Sequence, residues 1–198
     1  MDECRSAGQL IKNVKMKKTL LLPGLLLAVT TAYSQKYMTR TANVTFFSAT
    51  SIENIEAVNN EAACIADMKT GQVVMQVPVS SFKFEKALMQ EHFNENYMES
   101  DKYPKATFKG QIKDISSIQM TRDGSYKVSV EGDLAMHGVT RHVTVPGTIT
   151  VKKGTVVATG TFKIKPEDYK IEIPAVVSSK IAKEIEITVN APMKAANQ

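Results

Sequence analysis

Residues 125–151 read SYKVSVEGDLAMHGVTRHVTVPGTITV, and this stretch decides the fold. Tyr126, Val128, Val130, Gly132, Leu134 and Met136 alternate with Lys127, Ser129, Glu131 and Asp133. Beyond the His137-Gly138 step, Val143, Val145, Gly147, Ile149 and Val151 alternate with His142, Thr144, Thr148 and Thr150. Successive side chains on a strand point to opposite faces, so a period of two predicts strands with one dry and one wet face. Two such strands separated by a short step containing glycine predict an antiparallel hairpin, because glycine supplies the positive φ that tight hairpin loops need. A histidine in that step is either part of a chemical site or a turn residue. The choice separates an enzyme from a container.

The same period recurs on both sides. Ala106, Phe108, Gly110 and Ile112 form one apolar face, and Val156, Ala158, Gly160, Phe162 and Ile164 another. Ile185, Ile187 and Val189 repeat it near the C-terminus, as do Val73, Met75, Val77 and Val79, with further strands around 62–68 and Met38–Phe47. Lys69-Thr70-Gly71, Arg122-Asp123-Gly124 and Lys153-Gly154 punctuate these runs as turns. About eight antiparallel strands result, the number that closes into an all-β barrel able to hold one ligand. Gly110, Gly132, Gly147 and Gly160 fall on the apolar faces, where glycine allows a sheet to bend sharply or leaves volume inside it. Residues 85–98 break the period. Leu88, Met89, His92, Phe93, Tyr97 and Met98 follow at three- and four-residue spacings, which predicts one short helix capping or flanking the opening.

The chain has 198 residues, of which 43% are hydrophobic and 23% charged, as in an ordinary folded domain. Of 25 basic and 20 acidic residues, Arg5, Lys12, Lys15, Lys17, Lys18, Asp2 and Glu3 precede residue 35, leaving 20 against 18. So small an excess lacks the basic surface that phosphate backbones require, which argues against nucleic acid as a partner. From Met16, MKKTLLLPGLLLAVTTAYSQ has a basic start, an apolar run over Leu20–Val29 and small residues at Ala32 and Ser34. This is the pattern of a secretory signal peptide, with cleavage expected after Ser34 and a periplasmic or secreted destination. The domain expectation is therefore a 1–34 extension and leader, then one barrel over 35–198. Cys64 is the single cysteine of the mature chain and alternates with apolar neighbours, which reads as a small buried hydrophobe rather than a nucleophile.

Motifs for chemistry are sparse. His92, His137 and His142 have no HExxH or CxxC spacing around them, so no metal site is expected. Ser80–Lys83 is an SxxK and Lys69–Gly71 a KTG, but their order is inverted and no SDN accompanies them. GxSxG is absent. Glu91, Glu95 and Glu99 lie four apart on the polar side of the helix, as a solvated face would. No catalytic group and no cofactor are expected. His137 is read as hydrogen-bonding the turn beside Gly138, with His92, His137 and Gly138 placed at the mouth of the barrel.

What remains is apolar. Phe82, Phe84, Met89, Phe93, Tyr97 and Met98 gather in the helix and its flanks, and Phe108, Val130, Leu134, Val143 and Phe162 on inward strand faces. These residues are the candidate ligand lining. Periodicity does not distinguish such a lining from a core filled by its own side chains.

Three segments carry a family resemblance: HFNENYMESDKYPKATFKGQI (92–112), GDLAMHGVTRHVTVPGTI (132–149) and FKIKPEDYKIEIP (162–174). They are similar to the helix and Tyr-Pro strand, the Gly-x-Leu-x-x-His-Gly-Val-Thr hairpin and the closing segment of the YceI-like family of exported polyisoprenoid-binding proteins. The resemblance spans roughly 37–192. It implies a lipocalin-like barrel whose tunnel holds a long isoprenoid, a polyprenol derivative or a quinone, with no essential catalytic group. Transient membrane contact and a homodimer are compatible with that role. A hydrolase centred on His137 or His92, and a filled, ligand-free adhesive barrel, are the rival expectations.

Overall fold

The computed structural model describes residues 36–196; the expected leader and its cleavage site lie outside the described residues. The chain runs β1 (Lys36–Ala49), β2 (Asn54–Asp67), β3 (Gln72–Pro78), β4 (Lys83–Phe84), α1 (Ala87–His92), β5 (Lys105–Ile112), β6 (Gly124–Met136), β7 (Val139–Lys152), β8 (Thr155–Ile164) and β9 (Ile185–Ala195). Hydrogen bonding follows the order β1-β9-β8-β7-β6-β5-β3-β2, and β1 also pairs with β2, so eight antiparallel strands close into a barrel. β4 is a two-residue addition pairing with Ala57 and Val58 of β2.

The β6–β7 hairpin forms as its alternation dictates. The two strands pair without interruption from Gly124↔Val151 to Met136↔Val139, leaving His137 and Gly138 as a two-residue loop. Both have positive φ, +50° and +73°, the condition for a hairpin turn whose twist matches the strands. Lys153 and Gly154 repeat the device between β7 and β8, at +46° and +77°.

β1 and β2 depart from simple alternation. Thr39 pairs with Cys64, Ala42 with Ala62 and Val44 with Asn59, so each strand carries one extra residue against the other. At those points two consecutive residues face solvent, Arg40-Thr41 on β1 and Asn60-Glu61 on β2. The buried parity then switches, from Ala57 and Asn59 to Ala62, Cys64 and Ala66. These bulges bend the two strands and let β2 serve β3 with one half and β4 with the other. Asn59 is fully buried yet satisfied: its Nδ2 donates to the Pro78 carbonyl at 2.7 Å, and its Oδ1 accepts from the Glu61 amide at 2.8 Å.

The helix is shorter than the periodicity predicts. α1 ends at His92, and Phe93–Tyr97 continue as a wider, π-type turn. The stripe divides there: Phe93 and Met98 are buried, whereas Leu88 is 60% exposed. Between β8 and β9 a long strap crosses the barrel end. It begins with one tight turn at Pro166–Tyr169 and is tied to β1 where the Ala182 amide donates to the buried Ser48 Oγ at 2.8 Å.

Candidate functional site

The barrel is hollow. A cavity of about 560 Å³ runs along its inside, with walls from the inward faces of the strands. Lining residues at one end are sealed: Ala66, Met68, Ile112, Ala191 and Met193 are each 5% exposed or less. At the other end the walls are β4 and α1 (Phe84, Lys86, Leu88, Met89, His92), the β1–β2 connection (Glu53) and the strap (Ile173, Val177, Lys180). Leu88 and Lys86 are more than half exposed there, so this end is the mouth. Phe46, Phe82, Phe84 and Phe93 form a connected aromatic wall, with ring centroids 4.9–6.2 Å apart and rings tilted or edge-on.

The expected lining residues Phe82, Phe84, Met89, Phe93, Tyr97, Met98, Phe108, Val130, Leu134 and Phe162 all border this cavity. Val143 does not, although it shares parity with Val145, which does. It sits in a shallow cleft with Arg141, Lys163 and Tyr169, because the Pro166–Tyr169 turn packs against β7 and closes the cavity wall before Val143 is reached. Two expectations about glycine also separate. Gly147 and Gly160 line the cavity, whereas at Gly110 the Phe108 ring folds over the glycine and takes up its space.

The three histidines diverge. His92 borders the mouth, His142 lies on the outer surface 2.9 Å from Asp133, and His137 is turned away from the cavity. Its Nδ1 lies 2.9 Å from the carbonyl oxygen of Tyr169, and since a carbonyl can only accept, Nδ1 carries the hydrogen. This corrects the expectation that His137 bonds its own turn: the strap is its partner. The Tyr103 ring meets the imidazole edge-on at 4.8 Å, and a Cβ on Gly138 would strike the same ring. His137 and Gly138 therefore stand at the mouth end of the barrel without lining the cavity, and they knot the Tyr103-Pro104 segment, the hairpin and the strap together. Among the described residues no group of three His, Cys, Asp or Glu is placed to hold a metal ion. Glu91, Glu95 and Glu99 are exposed.

Cys64 lines the cavity and is 3% exposed; burial pushes its thiol up to about 11. Among the described residues, charge on the walls is confined to the mouth. Lys86 Nζ lies 2.9 Å from Glu53 Oε1, and this bond holds the Glu53 carboxyl below its ordinary range and raises the lysine. Lys180 lowers the same carboxyl further.

Periodicity does not single out the strap, which supplies Ile171, Ile173, Val177 and Ile181 to the wall. Its one visible signal is the alternation of Ile171, Glu172 and Ile173.

A hollow antiparallel barrel closed by a knot of hairpin, Tyr-Pro segment and strap has a counterpart among known families: the profile of the YceI-like domain matches residues 31–193. The chain belongs to the YceI-like domain family. No curated protein matches it in sequence. Its YceI-like barrel is similar to a solved polyisoprenoid binding domain from Saccharophagus degradans implicated in plant cell wall breakdown, with TM-score 0.71 and 13% identity over 81% of this chain and 98% of that one. BcnA of Burkholderia cenocepacia gives TM-score 0.63 and 21% identity, covering 76% and 95% of the two chains. A YceI protein of Campylobacter jejuni gives 0.57 and 17%, covering 73% and 86%. At these identities the likeness is one of fold. The segments 92–112, 132–149 and 162–174 meet at Tyr103, His137, Gly138 and Tyr169. Together they build the closure of this YceI-like barrel.

Proposed function

We propose that this protein is an exported carrier that buries the chain of a long isoprenoid, polyprenol- or quinone-like, or of a similar amphiphile, inside its barrel and performs no catalysis. The single observation that carries the reading is the hollow, almost wholly apolar interior with one open end. At about 30 Å³ per water-sized group, the cavity volume admits roughly 19 carbon-sized groups, close to four isoprene units. Burying about 20 carbons at about 0.8 kcal/mol each amounts to roughly 16 kcal/mol. An association cost near the middle of the range, about 8 kcal/mol, leaves micromolar affinity. The polyisoprenoid-binding description of the Saccharophagus domain supports the ligand class. The leader pattern from Met16 to Ser34 supports export, and the separation of the three histidines weighs against a His-centred hydrolase.

The test is to express the full coding sequence in an exporting host, purify the protein it yields, extract it with organic solvent and identify what is released by mass spectrometry. A stoichiometric amphiphile with a hydrocarbon chain is expected, together with a mature mass beginning at Gln35. A folded protein that releases nothing, and takes up no added 20-carbon isoprenoid alcohol, would overturn the proposal.

A further inference from the structure

The wall of the mouth carries two lysines and one glutamate, and this points to the chemistry of the ligand's head. Resting on the lipid-carrier reading above, we propose that the preferred amphiphile is anionic, a carboxylate or phosphate monoester, whose head docks between Lys86 and Lys180 while its chain fills the tunnel.

Among the described residues, the charged ones on the cavity wall are Glu53, Lys86 and Lys180, and all three belong to the mouth. They come from three separate segments: the β1–β2 connection, the approach to α1, and the strap. Lys86 and Glu53 neutralise one another at 2.9 Å. Lys180 is in none of the ion pairs among the described residues, yet it is close enough to Glu53 to act on that carboxyl. Among the charged wall residues of this collar, Lys180 is thus the one left without a close negative partner. A bound anion would supply it, whereas a neutral alcohol or quinone head would leave the Lys180 ammonium unmatched. The ammonium of a lysine on a flexible stem suits such a head, since it can reach a carboxylate or a phosphate without a fixed fork geometry. The apolar wall begins directly behind the collar, at Phe84, Met89, Ile173 and Val177, so head and chain are sorted within one ligand length.

The experiment compares geranylgeraniol with geranylgeranyl phosphate, which share one chain and differ in head charge, by calorimetric titration of the full-length protein and of a K86Q/K180Q double variant. The unaltered protein should bind the phosphate about five- to twentyfold more tightly than the alcohol at low salt. That preference should shrink toward unity at 1 M salt, where exposed charges are screened within about 3 Å. It should also collapse in the double variant. Equal affinities for the two ligands in the unaltered protein would overturn the anionic head while leaving the carrier reading intact. So would a preference that survives the double variant, or a variant that loses both ligands alike, since the lysines would then only shape the mouth. Should the variant fail to fold, the salt titration of the unaltered protein decides alone. Binding of neither ligand would overturn the carrier reading itself.

Discussion

Gly110 and Gly132 face one another across β5 and β6, and at neither is there room for a methyl group. A Cβ on Gly132 would fall on the backbone of Lys109 and Gly110, which cannot yield as a side-chain tip could. Gly132→Ala should therefore destabilise the barrel by about 1–3 kcal/mol, read as a lowered urea midpoint with unchanged slope. Cys64 makes a prediction of a different kind. Its thiol titrates near 9 when unfolded and is pushed up to about 11 in the folded protein, so between those values the unfolded chain has lost a proton that the native state keeps. Stability contributed by the neutral, buried thiol is complete below pH 9 and falls as pH rises toward 11, by about 2–3 kcal/mol. Denaturant titrations across this window should show the decline, and Cys64→Ala should flatten it. His137 shows how residue type and role separate. Its position in a two-residue turn follows from the hairpin pattern, but its partner, the Tyr169 carbonyl 32 residues away, does not.

Among the elements, β2 is only half legible in the sequence. Its second half alternates cleanly from Ala62 to Asp67, while the residues before Asn60 alternate on the opposite parity. A period-two pattern is lost wherever a bulge inserts a residue, because every side chain beyond it changes face. Asn59 fixes this bulge from within by bonding Pro78 and Glu61 at once. Asn59→Ala would remove the side-chain partner of the half-buried Pro78 carbonyl and of the Glu61 amide, and the expected cost is about 1–3 kcal/mol, measurable by chemical denaturation. Amide exchange should locate the effect, with faster exchange at Glu61 than in the continuous β6–β7 ladder. The helix falls short of its stripe for a related reason. Spacing at three and four residues is satisfied by a short α-helix followed by a wider turn, and the sequence carries no signal for where one becomes the other.

At the scale of the whole molecule, the property that matters is emptiness, and it has a direct test. A large side chain added to a packed core costs about 1–3 kcal/mol through strain, whereas one projected into a cavity finds space. Ala158 lies on β8, paired with Ile149 and Ala191, and borders the tunnel. Ala158→Phe should leave thermal stability within about 1 kcal/mol and weaken binding of a 20-carbon isoprenoid alcohol at least tenfold by titration. A large loss of stability instead would mean that the interior is packed. The strands, their antiparallel order, the hairpin turn and most of the lining were legible in the amino-acid sequence, because alternation assigns each side chain to a face without reference to any other strand. The failure at Val143 marks the limit of that logic: parity says which face a residue occupies, not which other segment packs over it. Whether the inward face encloses a filled core or a tunnel, that the strap supplies one wall, and that Glu53, Lys86 and Lys180 meet at one rim, depend on distances between parts of the chain more than 30 residues apart. Local sequence determined the strands; only closure of the barrel, which sets its circumference against the volume of the side chains pointing inward, decided that space was left inside.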